Sequence, residues 1–336
     1  MACSRYGSPI LHGLATTRAW PFFRRNMRYE VMKLHRLSAG LLLALCFCVA
    51  VAAQDLKWES VKYRAIEDIV YGQKDGLALT MDALIPETKS KNIGVIFIVS
   101  ASFRSGKNAT LEEEETRRRQ HWAQGLLNGG YTLFLVRHGS TPRYFVPEMI
   151  TDIRRAIRFI RLRAKDYGVD PNRIGISGAS SGGHLALMAA LTADDGKPDA
   201  KDPVERMSCR PRAVVAWFAP SDLINYGGEA GYKDAKRLLR PTIFQEMLGK
   251  VTDLESQLKS ISPINFVTES APPLLMIHGD ADRIVPVQQS QVLKTKYEEL
   301  KRPVKLIVQP GAPHTYWLGI EKNYPAIWEW FDQYLK

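Results

Sequence analysis

The order of apolar runs from residue 93 onward is the feature that most constrains the fold. Six short runs have the length of buried strands, at 93–99, 131–136, 173–177, 213–218, 274–278 and 304–308. Helical patterns separate most of them, and we place helices at 111–128, 147–166, 181–193, 287–300 and 324–335. Strands that alternate with helices in this way predict an α/β fold, a mostly parallel central sheet with helices on both faces.

Two departures from this alternation complete the predicted domain. Strand-like runs near 61–72 and 76–85 flank a Lys-Asp-Gly turn, which predicts an antiparallel hairpin. Residues 222–262 carry helical pieces rich in Gly, Lys and Glu, and we expect them to form a short cap-like insertion above the sheet. Residues 54–336 are therefore predicted to form a single domain.

Residues 1–53 are predicted to be an N-terminal extension that ends in a signal peptide. Lys33 and Arg36 precede an apolar run at 39–53, which closes with small residues. The run is shorter than the roughly 20 apolar residues that a membrane span needs. A basic flank, an apolar middle and small final residues are typical of a secretory signal. We expect cleavage after Ala53 and a secreted or periplasmic protein, with membrane attachment only if the signal stays uncleaved.

Charge and cysteine content exclude several classes of function. The chain carries 46 Lys and Arg and 35 Asp and Glu residues. Residues 1–53 contain seven of the basic and one of the acidic residues, so 39 basic and 34 acidic residues remain without them, a net charge of +5. This small excess is not the basic footprint of a nucleic-acid-binding protein. Only Cys209 lies beyond residue 53, so the domain forms no internal disulfide. No His or Cys pair has metal-ligand spacing, and no cofactor is predicted.

One strand-to-helix turn carries the motif of a nucleophilic serine. Gly178-Ala179-Ser180-Ser181-Gly182 fits G-x-S-x-G between the strand at 173–177 and the helix that follows. Ser180 is the serine with glycine two residues before and two after it, whereas Ser177 lies in the strand and Ser181 begins the helix. The glycine spacing does not fit a dinucleotide-binding turn, and no phosphate-binding Lys-Ser/Thr follows. Ser180 is the candidate nucleophile.

A serine nucleophile needs a base and a carboxylate that orients the base. Asp280 and Asp282 follow the strand at 274–278, and His314 follows the strand at 304–308. The carboxyl ends of parallel strands meet at one edge of a sheet, so these side chains and Ser180 are expected at the same edge. The residues alone leave Asp280 and Asp222 open as alternative acids.

Three segments resemble the esterase/lipase branch of the α/β-hydrolase superfamily. They read ITDIRRAIRFIRLRAKDYGVDPNRIGISGASSGGHLALMAA, MIHGDADRIVPVQQS and GAPHTYW, and the likeness extends over residues 60–336. The resemblance implies an α/β-hydrolase fold with Ser180 as nucleophile, His314 as general base and Asp282 as acid. His184, four residues past Ser180 on the predicted helix, and His278, at the start of the acid loop, are expected to have structural roles. The likeness is nearest to enzymes that cleave acetyl or feruloyl esters of plant polysaccharides, and more distant to prolyl-oligopeptidase-type peptidases.

The sequence departs from this family where a second oxyanion donor is expected. The family takes one backbone N–H from the residue after the nucleophile, here Ser181, and another from an H-G-G-G loop. This chain has Val99-Ser100-Ala101-Ser102 at that loop, without the histidine or any glycine. We expect the N–H groups of Ala101 and Ser102 to supply the second donor, although the glycine replacements reduce backbone freedom.

These observations predict an exported serine ester hydrolase that acts on small-molecule or polysaccharide esters with short acyl groups. Two alternatives stay open: a prolyl-oligopeptidase-like serine peptidase, and a weakly active or inactive hydrolase-fold protein that binds esters or sugars. Arg137, His138 and Arg143 follow the strand at 131–136. They are interpreted as a solvated loop in preference to a site for an acidic sugar.

Overall fold

The computed structural model describes residues 61–106, 123–227, 247–249, 253–314 and 319–336. The chain divides into two units, Met1–Lys57 and Trp58–Lys336. The first unit, which includes the predicted signal peptide and its cleavage site at Ala53, lies outside the described residues. So do the first part of the helix predicted at 111–128 and most of the insertion predicted at 222–262.

Eight strands form one sheet in the described residues, in the spatial order β1-β2-β4-β3-β5-β6-β7-β8. The strands β1 and β2 form the predicted antiparallel hairpin, and β2 pairs antiparallel with β4. All other neighbours are parallel, which confirms the predicted mostly parallel sheet. The strands are β1 (Tyr63–Lys74), β2 (Leu77–Pro86), β3 (Gly94–Ile98), β4 (Thr132–Val136), β5 (Ile174–Ala179), β6 (Val214–Trp217), β7 (Leu274–Gly279) and β8 (Val304–Gln309).

Helices cover both faces of the sheet and bury its apolar residues in two separate clusters. The α-helices whose ends lie within the described residues are α1 (Val146–Leu162), α2 (Ser181–Leu191), α3 (Leu254–Ser260), α4 (Gln288–Glu299) and α5 (Tyr324–Tyr334). Apolar residues of α1, α2 and α4 pack on one face, against Ile96, Ile176 and neighbours. The helical residues 123–128 and α5 pack on the other face, against Val95 and Val215. None of the described helices is long and apolar enough to cross a membrane.

The register of the parallel strands brings three loops to the same edge of the sheet. Ile98 in β3 pairs with Gly178 in β5, and Trp217 in β6 pairs with Ile277 in β7. The strands β7 and β8 continue in register as far as Gly279 and Gln309. The loops that carry Ser180, Asp282 and His314 therefore begin at the same edge of the sheet, with β6 between the first and the second.

The helix predicted at 147–166 is shorter than the pattern indicates. It ends at Leu162, and a separate 3-10 turn follows over Ala164–Tyr167. Gly168 ends this turn with φ of 66°, a left-handed conformation that glycine adopts without a steric penalty. The apolar pattern continues through the 3-10 turn because Ala164 and Tyr167 are buried in the same core, so periodicity alone does not locate the break.

The expectation of a solvated loop after β4 is wrong for Arg137 and His138. Arg137 is buried, and its guanidinium donates two hydrogen bonds to the Asp82 carboxylate at 2.6 and 2.8 Å. Antiparallel pairing of β2 with β4 places Arg137 beside Thr80 and Asp82 on one face of the sheet. A buried charge requires such a partner, so Arg137 is not available to an acidic sugar. His138 is also buried, whereas Arg143 is exposed as expected.

Candidate active site

The turn between β5 and α2 holds Ser180 in a strained conformation, with φ of 53° and ψ of −122°. Its N–H donates to the carbonyl oxygen of Trp217 at 2.9 Å. We call residues 178–183 the elbow. A Cβ atom at Gly178 would lie 2.4 Å from the backbone of Gly182, and one at Gly182 would lie 2.6 Å from the carbonyl oxygen of Ile98. The glycines therefore permit close packing of strand and helix around the half-buried serine.

Hydrogen bonds join the three side chains that the sequence singles out. The Ser180 hydroxyl lies 2.9 Å from Nε2 of His314. On the other side of the ring, Nδ1 lies 2.7 Å from Oδ2 of Asp282. The carboxylate accepts a hydrogen bond from Nδ1–H, which leaves Nε2 unprotonated and able to accept the proton of the Ser180 hydroxyl. The structure thus brings Ser180, His314 and Asp282 together from loops that are up to 134 residues apart in the chain.

The Asp282 carboxylate is held ionised by its neighbours. Oδ1 accepts hydrogen bonds from the N–H groups of Ile284 at 2.9 Å and Val285 at 2.8 Å. Burial by itself raises the pKa of Asp282, but hydrogen bonds from His278, His314 and Val285 outweigh it and lower the pKa to about 2. An ionised carboxylate on Nδ1 stabilises the positive charge that His314 acquires when Nε2 takes a proton.

The alternative acids do not contact His314. Oδ1 of Asp280 accepts a hydrogen bond from the Gly311 N–H at 2.6 Å, which joins the loop after β7 to the loop after β8. Asp222 accepts from the N–H groups of Ile224 and Asn225, both at 3.0 Å, and so closes a turn. Within the described part of the chain, Asp282 is the carboxylate that is bonded to the histidine.

The two other histidines near the site have structural roles, as expected. His278 is fully buried; Nε2 lies 2.8 Å from the carbonyl oxygen of Val285, and Nδ1 lies 2.8 Å from the hydroxyl of Ser290. It therefore fixes the loop that carries Asp282. His184 is also fully buried, and burial lowers its pKa to about 4, so it is neutral at pH 7. Its ring packs edge-on against Phe103 with centroids 5.6 Å apart.

The loop after β3, residues 99–106, replaces glycine with residues that still adopt positive φ. Ala101 and Arg104 exchange two backbone hydrogen bonds, at 2.9 and 3.0 Å, around a turn formed by Ser102 and Phe103. These two residues have φ of 49° and 61°. The Ala101 N–H thus donates to the Arg104 carbonyl and is not available as an oxyanion donor, contrary to the expectation from sequence. The turn leaves the Ser102 N–H without a backbone acceptor among the described residues.

Two serines fix this β3 loop to the loop after β4. The Ser105 hydroxyl donates to the carbonyl oxygen of Val99, and the Ser105 N–H donates to Oγ of Ser140 at 2.8 Å. The Ser140 hydroxyl donates back to the carbonyl oxygen of Ser105 at 3.0 Å. The Thr141 N–H donates to the carbonyl oxygen of Phe103 at 3.2 Å. The sequence analysis did not predict this role of Ser105 and Ser140. The local feature that could have indicated it is the presence of small polar residues next to the positions where glycine is expected.

A second serine of the β3 loop contacts the elbow directly. Oγ of Ser100 lies 3.0 Å from Oγ of Ser181, the first residue of α2. Ser181 is buried and Ser100 is half-buried. On the far side of the nucleophile, the ring of Phe218 packs against the ring of His314 with centroids 4.9 Å apart. In the described residues, no group of three or more His, Cys, Asp or Glu side chains is arranged to hold a metal ion.

Comparison with known proteins gives a family and several relatives. A family model described as BD-FAE matches residues 81–297. The probable carboxylic ester hydrolase LipM of Mycobacterium tuberculosis is 29% identical over 191 residues, which cover 56% of this chain and 42% of LipM. The chain therefore matches less than half the length of this curated relative.

Two solved structures share the fold over most of their length. An acetyl ester-xyloside bifunctional hydrolase from Caldicellulosiruptor lactoaceticus superposes with a TM-score of 0.65 at 22% identity, covering 79% of this chain and 95% of that one. A truncated carbohydrate esterase from gut microbiota also has a TM-score of 0.65, at 25% identity, covering 82% of this chain and 98% of that one.

Proposed function

We propose a function from the premise that this chain belongs to the BD-FAE family, within the α/β-hydrolase superfamily. The protein is a serine carboxylesterase that cleaves esters through a covalent acyl-enzyme. One observation carries this proposal: the hydrogen-bonded series Ser180–His314–Asp282, with the serine on a strained turn. The name of LipM, a probable carboxylic ester hydrolase, supports the same chemistry.

The first half of the reaction forms the acyl-enzyme. His314 Nε2 takes the proton from the Ser180 hydroxyl as Oγ attacks the ester carbonyl. The Asp282 carboxylate holds the Nδ1 proton and stabilises the imidazolium. The imidazolium then gives its proton to the leaving alcohol, and the carbon–oxygen bond of the ester breaks. In the second half, His314 removes a proton from water, which attacks the acyl carbon. The imidazolium then returns this proton to Oγ of Ser180 as the bond between Oγ and the acyl carbon breaks and the acid leaves.

The negative charge on the tetrahedral intermediate needs donors at the start of α2. The Ser181 N–H belongs to the first turn of the helix, where backbone N–H groups have no intrahelical partner and the helix dipole favours an anion. The sequence predicts backbone donors at Ala101 and Ser102. Because the Ala101 N–H bonds Arg104, the Ser102 N–H is the one of these two that is still available. Each preorganised donor of this kind contributes roughly 10²–10³ in turnover.

The substrate class is proposed to be short-acyl esters, with acetyl or feruloyl groups of polysaccharides as the favoured natural targets. The carbohydrate esterase from gut microbiota, which shares the fold at 25% identity, supports this class by its name. The names of LipM and of this carbohydrate esterase favour an ester substrate over the peptidase alternative.

Hydrolysis of short nitrophenyl esters tests the activity. We expect the wild-type protein to release nitrophenol from the acetate ester, Ser180→Ala to fall to the uncatalysed rate, and Ser102→Ala, which keeps its backbone N–H, to stay active. A wild-type rate equal to that of Ser180→Ala contradicts the proposal and favours the hydrolase-fold binding protein. Acetylated xylan, feruloylated arabinoxylan and a peptide anilide then separate the substrate classes.

Export is part of the same proposal and rests on the sequence alone. The basic residues Lys33 and Arg36 and the apolar run at 39–53 support a signal peptide that is cleaved after Ala53. N-terminal sequencing of the protein expressed at full length in a bacterial host tests this directly. A mature chain that begins at Gln54 in the exported fraction is expected, and an uncleaved chain in the membrane fraction contradicts cleavage.

A further inference from the structure

The β3 loop contains a hydroxyl group that the proposed mechanism has not used. Ser100 lies two residues beyond Ile98, and Ser180 lies two residues beyond Gly178; Ile98 and Gly178 are paired in register on neighbouring parallel strands. Such strands are about 4.8 Å apart. The loop and the elbow therefore leave the sheet side by side, and Ser100 stands at the level of the nucleophile.

The contacts of the elbow keep Ser100 near the start of α2. Gly182 packs so closely on the end of β3 that an added Cβ would lie 2.6 Å from the carbonyl oxygen of Ile98 and 3.6 Å from Cβ of Ser100. Oγ of Ser100 lies 3.0 Å from Oγ of Ser181. The N–H of that same residue, Ser181, is the first oxyanion donor of the proposed mechanism.

The proton of the Ser181 hydroxyl determines what Ser100 can do. Ser181 is 3% exposed, and a buried hydroxyl needs an acceptor. Its hydrogen-bond partner among the described residues is the Ser100 hydroxyl, and either oxygen can be the donor. The arrangement that satisfies the buried proton has Ser181 donating and Ser100 accepting. This leaves the proton of Ser100, which is half-buried, free to donate to a ligand.

We propose that the Ser100 hydroxyl is a catalytic oxyanion donor, which acts with the Ser181 N–H in place of the backbone donor that the Ala101–Arg104 turn removes. The inference rests on the proposed esterase function and deepens it. No covalent bond to Ser100 forms or breaks. Its O–H donates a hydrogen bond to the carbonyl oxygen of the substrate, and this bond strengthens as the oxygen becomes negative in the tetrahedral intermediate.

Four single variants test the proposal against the wild-type protein with the same nitrophenyl acetate assay. Ser100→Ala removes the donor, and Ser100→Cys keeps the size of the side chain but has a poor donor. We expect both to lower kcat about 100-fold with KM changed less than threefold. Ser105→Ala and Ser140→Ala remove hydroxyls that brace the same loop but leave the Ser100 hydroxyl in place, so we expect both within fivefold of wild type.

Two further measurements separate a donor from a structural brace. The pH dependence of kcat/KM reports the ionisation of the catalytic groups of the free enzyme, and we expect the same profile in Ser100→Ala and wild type. A trifluoromethyl ketone forms a tetrahedral adduct with the nucleophile, and we expect it to bind Ser100→Ala about 100-fold more weakly. A folding defect would instead lower the thermal midpoint of Ser100→Ala and Ser100→Cys and reduce the fraction of active protein.

The outcomes distinguish this inference from the function on which it rests. If wild type is no faster than Ser180→Ala, the esterase proposal and the Ser100 proposal both fail. If wild type is active and Ser100→Ala or Ser100→Cys, folded as wild type, keeps more than a third of its kcat, only the role of Ser100 is overturned. Equal losses in Ser105→Ala and Ser100→Ala would also overturn it, since they would mean that the loop needs bracing and not a donor.

Discussion

The elbow and the β3 loop lie side by side at one edge of the sheet, yet only the elbow has glycines at the positions where the family pattern expects them. In the elbow, Gly178 and Gly182 are needed because backbone atoms lie 2.4–2.6 Å from where a Cβ would be. In the β3 loop, Ser102 and Phe103 adopt positive φ themselves, and hydrogen bonds from Ser105 to Ser140 hold the loop in place. Glycine is replaceable where it supplies only a torsion angle, and it is not replaceable where it supplies space.

The largest effect is expected on the side of the site that keeps the hydrolase pattern. Asp282→Asn retains the shape of the side chain but removes the charge that holds the Nδ1 proton of His314. The amide can bond the histidine in the wrong tautomer, so we expect kcat to fall roughly 10⁴-fold. Asp280→Asn is the matched control, since Asp280 bonds Gly311 and not the histidine. Equal losses of kcat in the two variants would show that Asp282 is not the acid of the triad.

The contrast in glycine roles predicts a stability difference between two Gly→Ala changes. Gly178→Ala forces a Cβ against the backbone of Gly182, and we expect a loss of about 3 kcal/mol in the free energy of unfolding, together with a large loss of activity. Gly168→Ala meets no atom within 4 Å and carries only the strain of a φ of 66°. Its loss should be about 1 kcal/mol with activity unchanged. Denaturant unfolding of both variants measures the difference; equal losses would refute the distinction.

Acid should weaken the triad side of the site before it affects the β3 loop. The pKa of Asp282 is lowered to about 2 in the folded protein, below the usual value near 3.9 of an unfolded chain. Its stabilising contribution is therefore present above pH 4 and is lost as the pH falls from about 4 to about 2. The loss amounts to roughly 2 kcal/mol and is measured by unfolding across this range. Asp282→Asn should lack this part of the pH dependence, and an unchanged pH profile in the variant would contradict the assignment.

The smallest expected effect concerns the β3 loop itself. Ser102→Gly relieves a positive φ without removing the backbone N–H, so we expect a gain of about 1 kcal/mol in stability and a thermal midpoint raised by about 2 °C. Turnover should stay within threefold of wild type. A tenfold or greater rise in turnover would show instead that the loss of glycine limits catalysis. It would contradict the conclusion that glycine is replaceable in the β3 loop.

The sequence predicts what depends on local pattern and on the geometry of parallel sheets. Alternating apolar runs give the sheet and its helices, and the carboxyl ends of the strands place Ser180, Asp282 and His314 near one another. The pattern of buried residues does not show that α1 stops at Leu162, because the 3-10 turn beyond it is buried in the same core. Contacts between distant segments set the ends of elements and are not visible in a local pattern.

The same limit explains the two errors near the site. Arg137 reads as part of a solvated loop, but its partner Asp82 lies on a neighbouring antiparallel strand, 55 residues earlier. Ala101 reads as an oxyanion donor, but the β3 loop folds so that its N–H meets Arg104. The tether that holds this fold comes from Ser140, 35 residues beyond Ser105. Side chains that arrive from other strands decide both outcomes.

The central claim is that His314 and Asp282 activate Ser180 on the elbow, and labelling with a fluorophosphonate tests it most directly. The reagent forms a phosphorus–oxygen bond with an activated serine and releases fluoride. After digestion, mass spectrometry should find one adduct per chain, on Ser180, with none in Ser180→Ala and much slower labelling in Asp282→Asn. An intact protein that remains unlabelled, or that carries the adduct on Ser177 or Ser181, would contradict the account.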